Sequence, residues 1–424
     1  MATIRPFRGL RYGPDAGPLD NLVAPPYDVL SQSQRDELAS RSAHNVVHLT
    51  LPEQEPDDRS KFVKYARSAS RLTGWRQQGA LAVEPAPTFY RYRQNFNIPG
   101  KPETMERLAL IALIKVEPYE KGVVLPHEQT FPKHKEDRLR ILEATRSHLE
   151  CIFGLYEDDE RAVLDHVMNS NGESVADVTT DDGVRHRVEA ISDSAATKSI
   201  QDAISTKKIW IADGHHRYET ALAFRQMLGE RDGEVAEDYM MMALTSMADP
   251  GLVLLPTHRI LKRMPCDAAE LRGRMSNHFQ VEDCANDQLM PRLESLAADG
   301  RRAFGVALPG GQGFLAHFDP AVLAGQVHPE GSELLRELDV TILHDYIFEK
   351  LLDLTGLDFF DYTRDEHEAV DAVEAGAPAA FLMNPPSVND MRHIALGGEK
   401  MPQKSTFYYP KILSGLVLWS LSDF

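Results

Sequence analysis

What most limits the folds open to this 424-residue chain is one stretch in which a strand, a glycine turn and a helix follow without interruption. Lys208-Ile209-Trp210-Ile211-Ala212 reads as a buried strand, Asp213-Gly214 as the turn, and His215-His216-Arg217 as the opening of a helix that runs to about residue 228. A strand that hands the chain to a residue able to take positive φ, and then directly to a helix, leaves the first helical N–H groups without intrahelical partners. Such an end attracts anions, and two imidazoles with a guanidinium in the same turn supply the donors that a phosphate group takes. Two other readings stay open. In one, Asp213 is a helix cap and the histidines are surface residues. In the other, His216 and Glu219, one helical turn apart, hold a metal ion, although two ligands are too few for a closed zinc site.

Around this unit, strand-like and helix-like runs alternate with no repeat or low-complexity tract, which predicts a mixed α/β fold with α+β character. The N-terminal part predicts strands at 22–24, 45–49, 89–93, 107–116 and 151–156, with helices at 31–41 (behind a Ser N-cap), 61–78 and 135–147. Beyond residue 256 come a helix at 267–277, a strand at 278–281, a helix at 288–298 and strands at 304–308 and 313–318. A seam at 328–331 precedes a helical stretch at 333–354 and a β-α-β pattern over 359–383. The expected division is a catalytic region with insertions over 1–255, a small α+β segment over 256–330, and a C-terminal segment over 331–424 that returns to the site.

Charge and cysteine usage narrow the function. With 46 Lys+Arg against 64 Asp+Glu the formal charge is −18, which opposes a phosphate backbone, so nucleic acid is not an expected partner and any bound phosphate is small and gripped locally. No run approaches the ~18 apolar residues of a membrane span and the N-terminus lacks a signal-like apolar region, so the expectation is a cytoplasmic protein with no membrane partner. Cys151, Cys266 and Cys284 are widely spaced, indicating neither a disulfide framework nor a structural zinc site.

Three further groups carry chemistry. Pro126-His127-Glu128-Gln129-Thr130, with Lys133, Lys135, Asp137 and Arg138, offers a carboxylate, an imidazole and several cations. That suits general-base work beside an anion, or equally a charged loop leading into a solvated helix; Phe131 stands where a metalloprotease would need its second His. In Pro25-Pro26-Tyr27-Asp28 two prolines stiffen the approach to an acid, as a catalytic carboxylate or a simple turn would have it. Lys404 and Lys411 flank a proline-punctuated segment and are candidate phosphate ligands or surface cations. Residues 398–405 lack the second glycine of a P-loop, because Gln403 stands there, and Pro309-Gly310-Gly311-Gln312-Gly313 reads as a hairpin turn.

Together these segments resemble the DUF1015 family of bacterial and archaeal proteins. The resemblance is carried by Arg5-Pro6-Phe7-Arg8-Gly9, Ala24-Pro25-Pro26-Tyr27-Asp28-Val29, Leu125-Pro126-His127-Glu128-Gln129-Thr130, Lys135-Glu136-Asp137-Arg138-Leu139, Ile211 to Thr220, Leu255-Pro256-Thr257-His258-Arg259 and Lys404 to Lys411. A shorter resemblance is to the nucleotide-phosphate loop of the ParB/sulfiredoxin superfamily, where Asp213-Gly214-His215-His216-Arg217 is most similar to the D-G-H-H-R of the free-serine kinases. Sulfiredoxins carry a catalytic Cys in a G-C-H-R loop, where this chain has His215. ParB proteins carry a G-E-R-R-like loop and added basic domains.

The resemblance implies a ParB/sulfiredoxin-like core with large additional α/β segments, and a kinase that moves a phosphoryl group from ATP or ADP to a hydroxyl, with free L-serine the favoured acceptor. Gly214, His215, His216 and Arg217, with Lys404 and Lys411, would hold the nucleotide; Mg²⁺ would bridge its phosphates near Asp213 and Glu219. Glu128, or else Asp28, would take the hydroxyl proton, with His127 and Asp213 beside it. Lys133, Arg138 and Thr130, or Lys411, would bind the substrate. A nucleotide-operated switch and a metal-dependent hydrolase using His127, Glu128, His215 and His216 are the alternatives.

Overall fold

The apolar run expected to form a central strand does so, and the sheet is built outward from it. The structure is a computed structural model that describes residues 1–128, 130, 132–229, 231–327, 331–356 and 358–424, with the side chains of 132–134 outside the description. The chain forms two compact units: Met1–Pro126, Thr130–Val253 and Pro410–Phe424 make the first, His127–Gln129 and Leu254–Tyr409 the second. Residues 256–330 and 331–409, which the sequence reading separates, thus share one unit, and 410–424 belong to the other. The expected seam at 328–331 falls largely outside the described residues.

The first unit holds a mixed sheet of nine described strands: β1 Ile4–Arg5, β2 Phe89–Asn97, β3 Thr104–Lys115, β4 Val124–Leu125, β5 Ile152–Tyr156, β6 Glu173–Thr179, β7 Arg185–Ile191, β8 Ile209–Asp213 and β9 Tyr239–Ser246. Their order is β4-β8-β5-β9-β3-β2-β7-β6, with β1 also on β3. The β4–β8 and β5–β9 pairs are parallel and the rest antiparallel, so the fold is mixed α/β. Alternation assigns the faces. Leu108, Leu110, Ala112 and Ile114 of β3 join Ile209, Ile211, Met240 and Met242 in a core covered by the helices Ala162–Asn169 and Ser194–Ile204 and by residues of His215–Met227. The other face of β3 carries Arg107, paired across the ladder with Gln94. A second core gathers Leu22, Val46, Leu72, Trp75, Ile141 and Leu149 with Leu418. We label the helices α1 Val63–Gln77, α2 Pro132–Thr145 and α3 His215–Met227; α2 packs on both others.

The second unit has a six-stranded antiparallel sheet among the described residues: β10 His258–Leu261, β11 Gln280–Ala285, β12 Arg302–Ala307, β13 Gln312–Phe318, β14 Phe360–Thr363 and β15 Ala380–Leu382, ordered β11-β13-β12-β15-β10-β14. The glycine pair Gly310-Gly311 takes positive φ between β12 and β13, as a tight hairpin requires.

Two local expectations are corrected. Residues 22–24 are not a strand: only Ala24 pairs, in an isolated bridge with Ser414. Residues 45–49 are not a strand: Val47–Thr50 is a helical turn, because the buried Asn45 side chain accepts from the Val47 N–H and donates to the Asn21 and Val23 carbonyls. An apolar run buried on every side carries no periodicity to separate the two states. The stretch 333–354 is helical as expected, in pieces: Glu333–Glu337 and Asp339–Thr341 meet at Leu338, whose ψ of 133° is extended, and Ile342–Leu351 winds with the wider π pattern. The residue 31–41 helix is as expected, with Ser31 and Gln34 forming a reciprocal capping box. No helix among the described residues is long and apolar enough to cross a membrane.

Each unit holds neutral histidines, His148 and His186 in the first and His258 and His344 in the second. Burial pushes His148, His186 and His258 down to about 4 and His344 down to about 3. In the unfolded chain an imidazole titrates near ~6.5, so between those values the unfolded state binds the extra proton and stability falls as pH falls. Urea unfolding at pH 6.5 and pH 5 is expected to show each unit losing up to about 2 kcal/mol from each of these histidines; equal stability at both values would mean that these rings are hydrated.

Candidate functional site

The sharpest sequence feature becomes the best-defined local geometry. β8 pairs with β5 through Trp210↔Leu155 and Ile211↔Gly154, then slips by one residue so that Asp213 faces Phe153. The bulge at Ala212 re-aims Asp213 as it leaves the sheet. Gly214 follows at φ 93°, a conformation an L side chain resists, and is the N-cap of α3, a residue with no side chain of its own to cap the helix. His215 is buried, and His216 and Arg217 are partly covered. A helix N-terminus presenting a positive dipole fits a phosphate group.

Arg217 does not point to solvent. Its side chain is 9% exposed; Nη1 donates to the Cys151 carbonyl at 2.6 Å and Nη2 to Asp213 Oδ2 at 3.3 Å, and its Nε has no partner. Burial works against its charge, but Glu150, Asp213 and Asp28 outweigh it and hold the guanidinium protonated well above the ordinary range. The second Asp213 oxygen lies 3.4 Å from Lys411 Nζ, so this carboxylate stands between two cations. Burial pushes the Cys151 thiol up to about 12 against the pull of Arg217, so it is no nucleophile at neutral pH.

The Pro25-Pro26-Tyr27-Asp28 turn belongs to the same place. Tyr27–Val29 is a single 3₁₀ turn, and the Tyr27 ring lies 4.0 Å from the Arg138 guanidinium and 5.9 Å from that of Arg217. The Tyr27 N–H donates to Glu150 Oε1 at 2.9 Å, and Ser414 Oγ donates to the same oxygen at 3.1 Å. Asp28 is exposed beside this stack. Arg138 is buried, donates to the Thr50 carbonyl at 2.7 Å and pairs with Asp137. Burial opposes ionisation of Asp137, but Arg138 overcomes it and holds the carboxyl down to about 2. A cavity of about 50 Å³ lies among Arg138, Glu150, Arg217 and Thr220.

One turn further along α3, Glu219 Oε2 accepts from Thr130 Oγ1 at 2.7 Å and from Lys135 Nζ at 2.8 Å. A cation therefore already neutralises Glu219. Mg²⁺ needs only one or two carboxylates when phosphates complete its shell, and Asp213 and Glu219, each already paired with cations, are the two that this stretch carries. No group of three or more metal-ligating side chains occurs among the described residues. The Lys133 side chain, like Gln129, lies outside the described residues.

His127, Glu128 and Lys404 belong to the second unit. His127 is fully buried, with Nε2 2.8 Å from Thr406 Oγ1. Glu128 Oε1 accepts the Lys404 N–H at 2.8 Å, and Lys404 is an exposed non-glycine residue at φ 57° whose carbonyl accepts from the buried Arg259 at 3.1 Å. Glu150 and Ser414 were not singled out in the sequence, and Tyr27 only as part of the turn that leads to Asp28. A lone acid at the start of an apolar strand was the one signal available for Glu150.

Residues 4–341 match the family model described as a protein of unknown function, DUF1015, and the chain belongs to that family. No curated protein matches it in sequence. Among solved structures, a free serine kinase mutant in complex with ADP is similar at 14% identity and a TM-score of 0.36, over 70% of this chain and 87% of that one. A conserved hypothetical protein from Pyrococcus furiosus gives 15% and 0.36 over 74% and 97%. SbnI with a C-terminal truncation, from Staphylococcus aureus, gives 9% and 0.34 over 74% and 88%. Likeness at that level carries no functional weight.

A methyl group at Gly214 tests the loop. Its Cβ would stand 2.9 Å from Arg217 Nε and Nη2, at a φ that already disfavours it. Gly214→Ala is expected to cost about 1–3 kcal/mol in urea unfolding; an unchanged midpoint would mean that the loop is not held as described.

Proposed function

We propose that the first unit binds the phosphates of ATP or ADP at the start of α3 and transfers a phosphoryl group to the hydroxyl of a small metabolite, with free L-serine the favoured acceptor. The observation that supports this most is the helix start entered through Gly214, with Asp213 set between Arg217 and Lys411. A helix dipole and converging cations stabilise the charge spread over a phosphoryl group in transfer. The choice of serine follows from the likeness of Asp213-Gly214-His215-His216-Arg217 to the kinase loop.

In this reading the backbone N–H groups of His215 and His216, with their side chains, grip phosphate oxygens. Arg217 works from beneath, fixing Asp213 and the Tyr27 turn. The substrate oxygen forms its bond to the terminal phosphorus while the bond to the nucleotide breaks, and the hydroxyl proton passes to a carboxylate. Glu128 is the first candidate for that role and Asp28 the second. Bound Mg²⁺ would supply charge neutralisation on the phosphates, with Asp213 and Glu219 as the residues to hold it. Thr130, Lys133 and Arg138 remain candidates for substrate contact, although Arg138 has its donors engaged and Thr130 is committed to Glu219.

Incubating the full chain with Mg²⁺, nucleotide and L-serine is expected to yield O-phosphoserine, followed by phosphorus NMR or mass spectrometry. Glu128→Gln is expected to keep nucleotide binding and lower turnover by at least about 100-fold, as loss of a general base does. Full activity in that variant moves the role to Asp28, tested by Asp28→Asn. Nucleotide that neither binds nor turns over removes the proposal.

A further inference from the structure

The proposed site draws one of its charges from residues 410–424, which lie beyond the part of the chain that the family model matches and yet fold into the first unit. Lys411 Nζ reaches Asp213, and its side chain is only 14% exposed. The backbone that carries it rests on two buried polar side chains. Arg107 of β3, fully buried, donates through Nη2 to the Pro410 carbonyl, while Gln94 of β2, also buried, donates through Nε2 to the Lys411 carbonyl at 2.9 Å. The two grip each other, since Arg107 Nε donates to Gln94 Oε1 at 3.0 Å, and the Arg107 guanidinium lies 4.7 Å from the centre of the Phe153 ring. Just downstream, Ser414 exchanges two backbone hydrogen bonds with Ala24, at 2.8 and 3.2 Å, immediately before the Pro25-Pro26-Tyr27-Asp28 turn.

A guanidinium buried inside a sheet carries a desolvation cost that well-packed apolar side chains of similar volume avoid. Folding alone has no need of a charge at residue 107, where β3 continues from 108 to 114 with Leu, Ala and Ile only. What the charge does at this position is hold the Pro410 carbonyl and the Gln94 side chain, whose amide holds the Lys411 carbonyl, and those two carbonyls fix where the Lys411 side chain begins. We propose that Arg107 and Gln94 are positioning residues for Lys411: through the Pro410 and Lys411 carbonyls they set the Lys411 ammonium against Asp213, which makes a segment remote from the D-G-H-H-R loop part of the phosphate-binding surface. The phosphate role of Lys411 rests on the phosphoryl-transfer reading above; its placement does not.

The test reads Lys411 directly, without nucleotide. The full chain is labelled with trace acetic anhydride, and peptide mass spectrometry follows Lys411 against the exposed Lys198 as internal standard. In the wild-type chain Lys411 is expected to label at least about tenfold more slowly than Lys198, because it is covered and paired. Arg107→Met, and independently Gln94→Met, which leaves the charge in place, are expected to raise the Lys411 rate by at least about threefold relative to Lys198. Unchanged Lys411 labelling in both folded variants overturns the proposal whatever the turnover assay shows. Faster labelling at Lys411 alone in either variant, in a chain that binds no nucleotide, leaves the positioning standing and removes the kinase reading instead.

Discussion

The first unit's candidate site depends on one buried guanidinium. Arg217 joins three stretches of chain that are far apart in sequence: the Tyr27 turn through its ring, the Cys151 carbonyl through Nη1, and Asp213 through Nη2. Glu150 completes the charge balance and also receives the Tyr27 N–H and the Ser414 hydroxyl. Stripping one partner from such a group leaves an uncompensated charge away from water, at a typical cost of ~3–5 kcal/mol. The carboxylates and the guanidinium are therefore mutually obligatory, and the loop they support is rigid before any ligand arrives. Rigidity of that kind is what a phosphate-binding turn needs, because the donors are aimed without reorganisation when charge develops.

The segment 401–411 passes from one unit into the other and presents two lysines by different means. Lys404 takes the left-handed conformation, with its N–H on Glu128 and its carbonyl on Arg259; Lys411 sits over a buried Arg107–Gln94 pair. In both cases a buried arginine in a strand addresses a backbone carbonyl. A carbonyl grip constrains where a side chain starts and leaves its end group available for other work. Such constraints are invisible in a charge count, where all four residues would be tallied as surface cations.

Much of the fold was legible because local signals agreed with one another. The β8 strand, the glycine and the α3 helix each announce themselves within five residues, and the apolar run of β3 admits one interpretation. The site was legible only where its chemistry is local. Asp213 to Arg217 could be read together, and Lys411 was singled out beside them. Glu150 and Arg107 could not be, because what defines them is a partner 123 residues away in one case and 303 in the other. Arg138 shows the opposite hazard. In sequence it is a cation on a charged helix, whereas in the structure its donors are engaged and its face stacks on Tyr27. The Val47–Thr50 turn was missed for a related reason: the Asn45 side chain, which no apolar pattern records, supplies its hydrogen bonds.

The chain's path also fixes an order of events during synthesis. Leu418 and Trp419 are fully buried in the first unit, and Leu418 exchanges backbone hydrogen bonds with Leu10 near the other end of the chain. The second unit, by contrast, is made entirely of residues between 127 and 409. A growing chain can therefore finish the later-encoded unit while the earlier one still waits, open along one face of β2 and β3, for residues 410–424 to emerge from the ribosome. Until that happens the buried polar pair Arg107 and Gln94 has water where the Pro410 and Lys411 carbonyls belong, and the protein carries its D-G-H-H-R loop without its lysine.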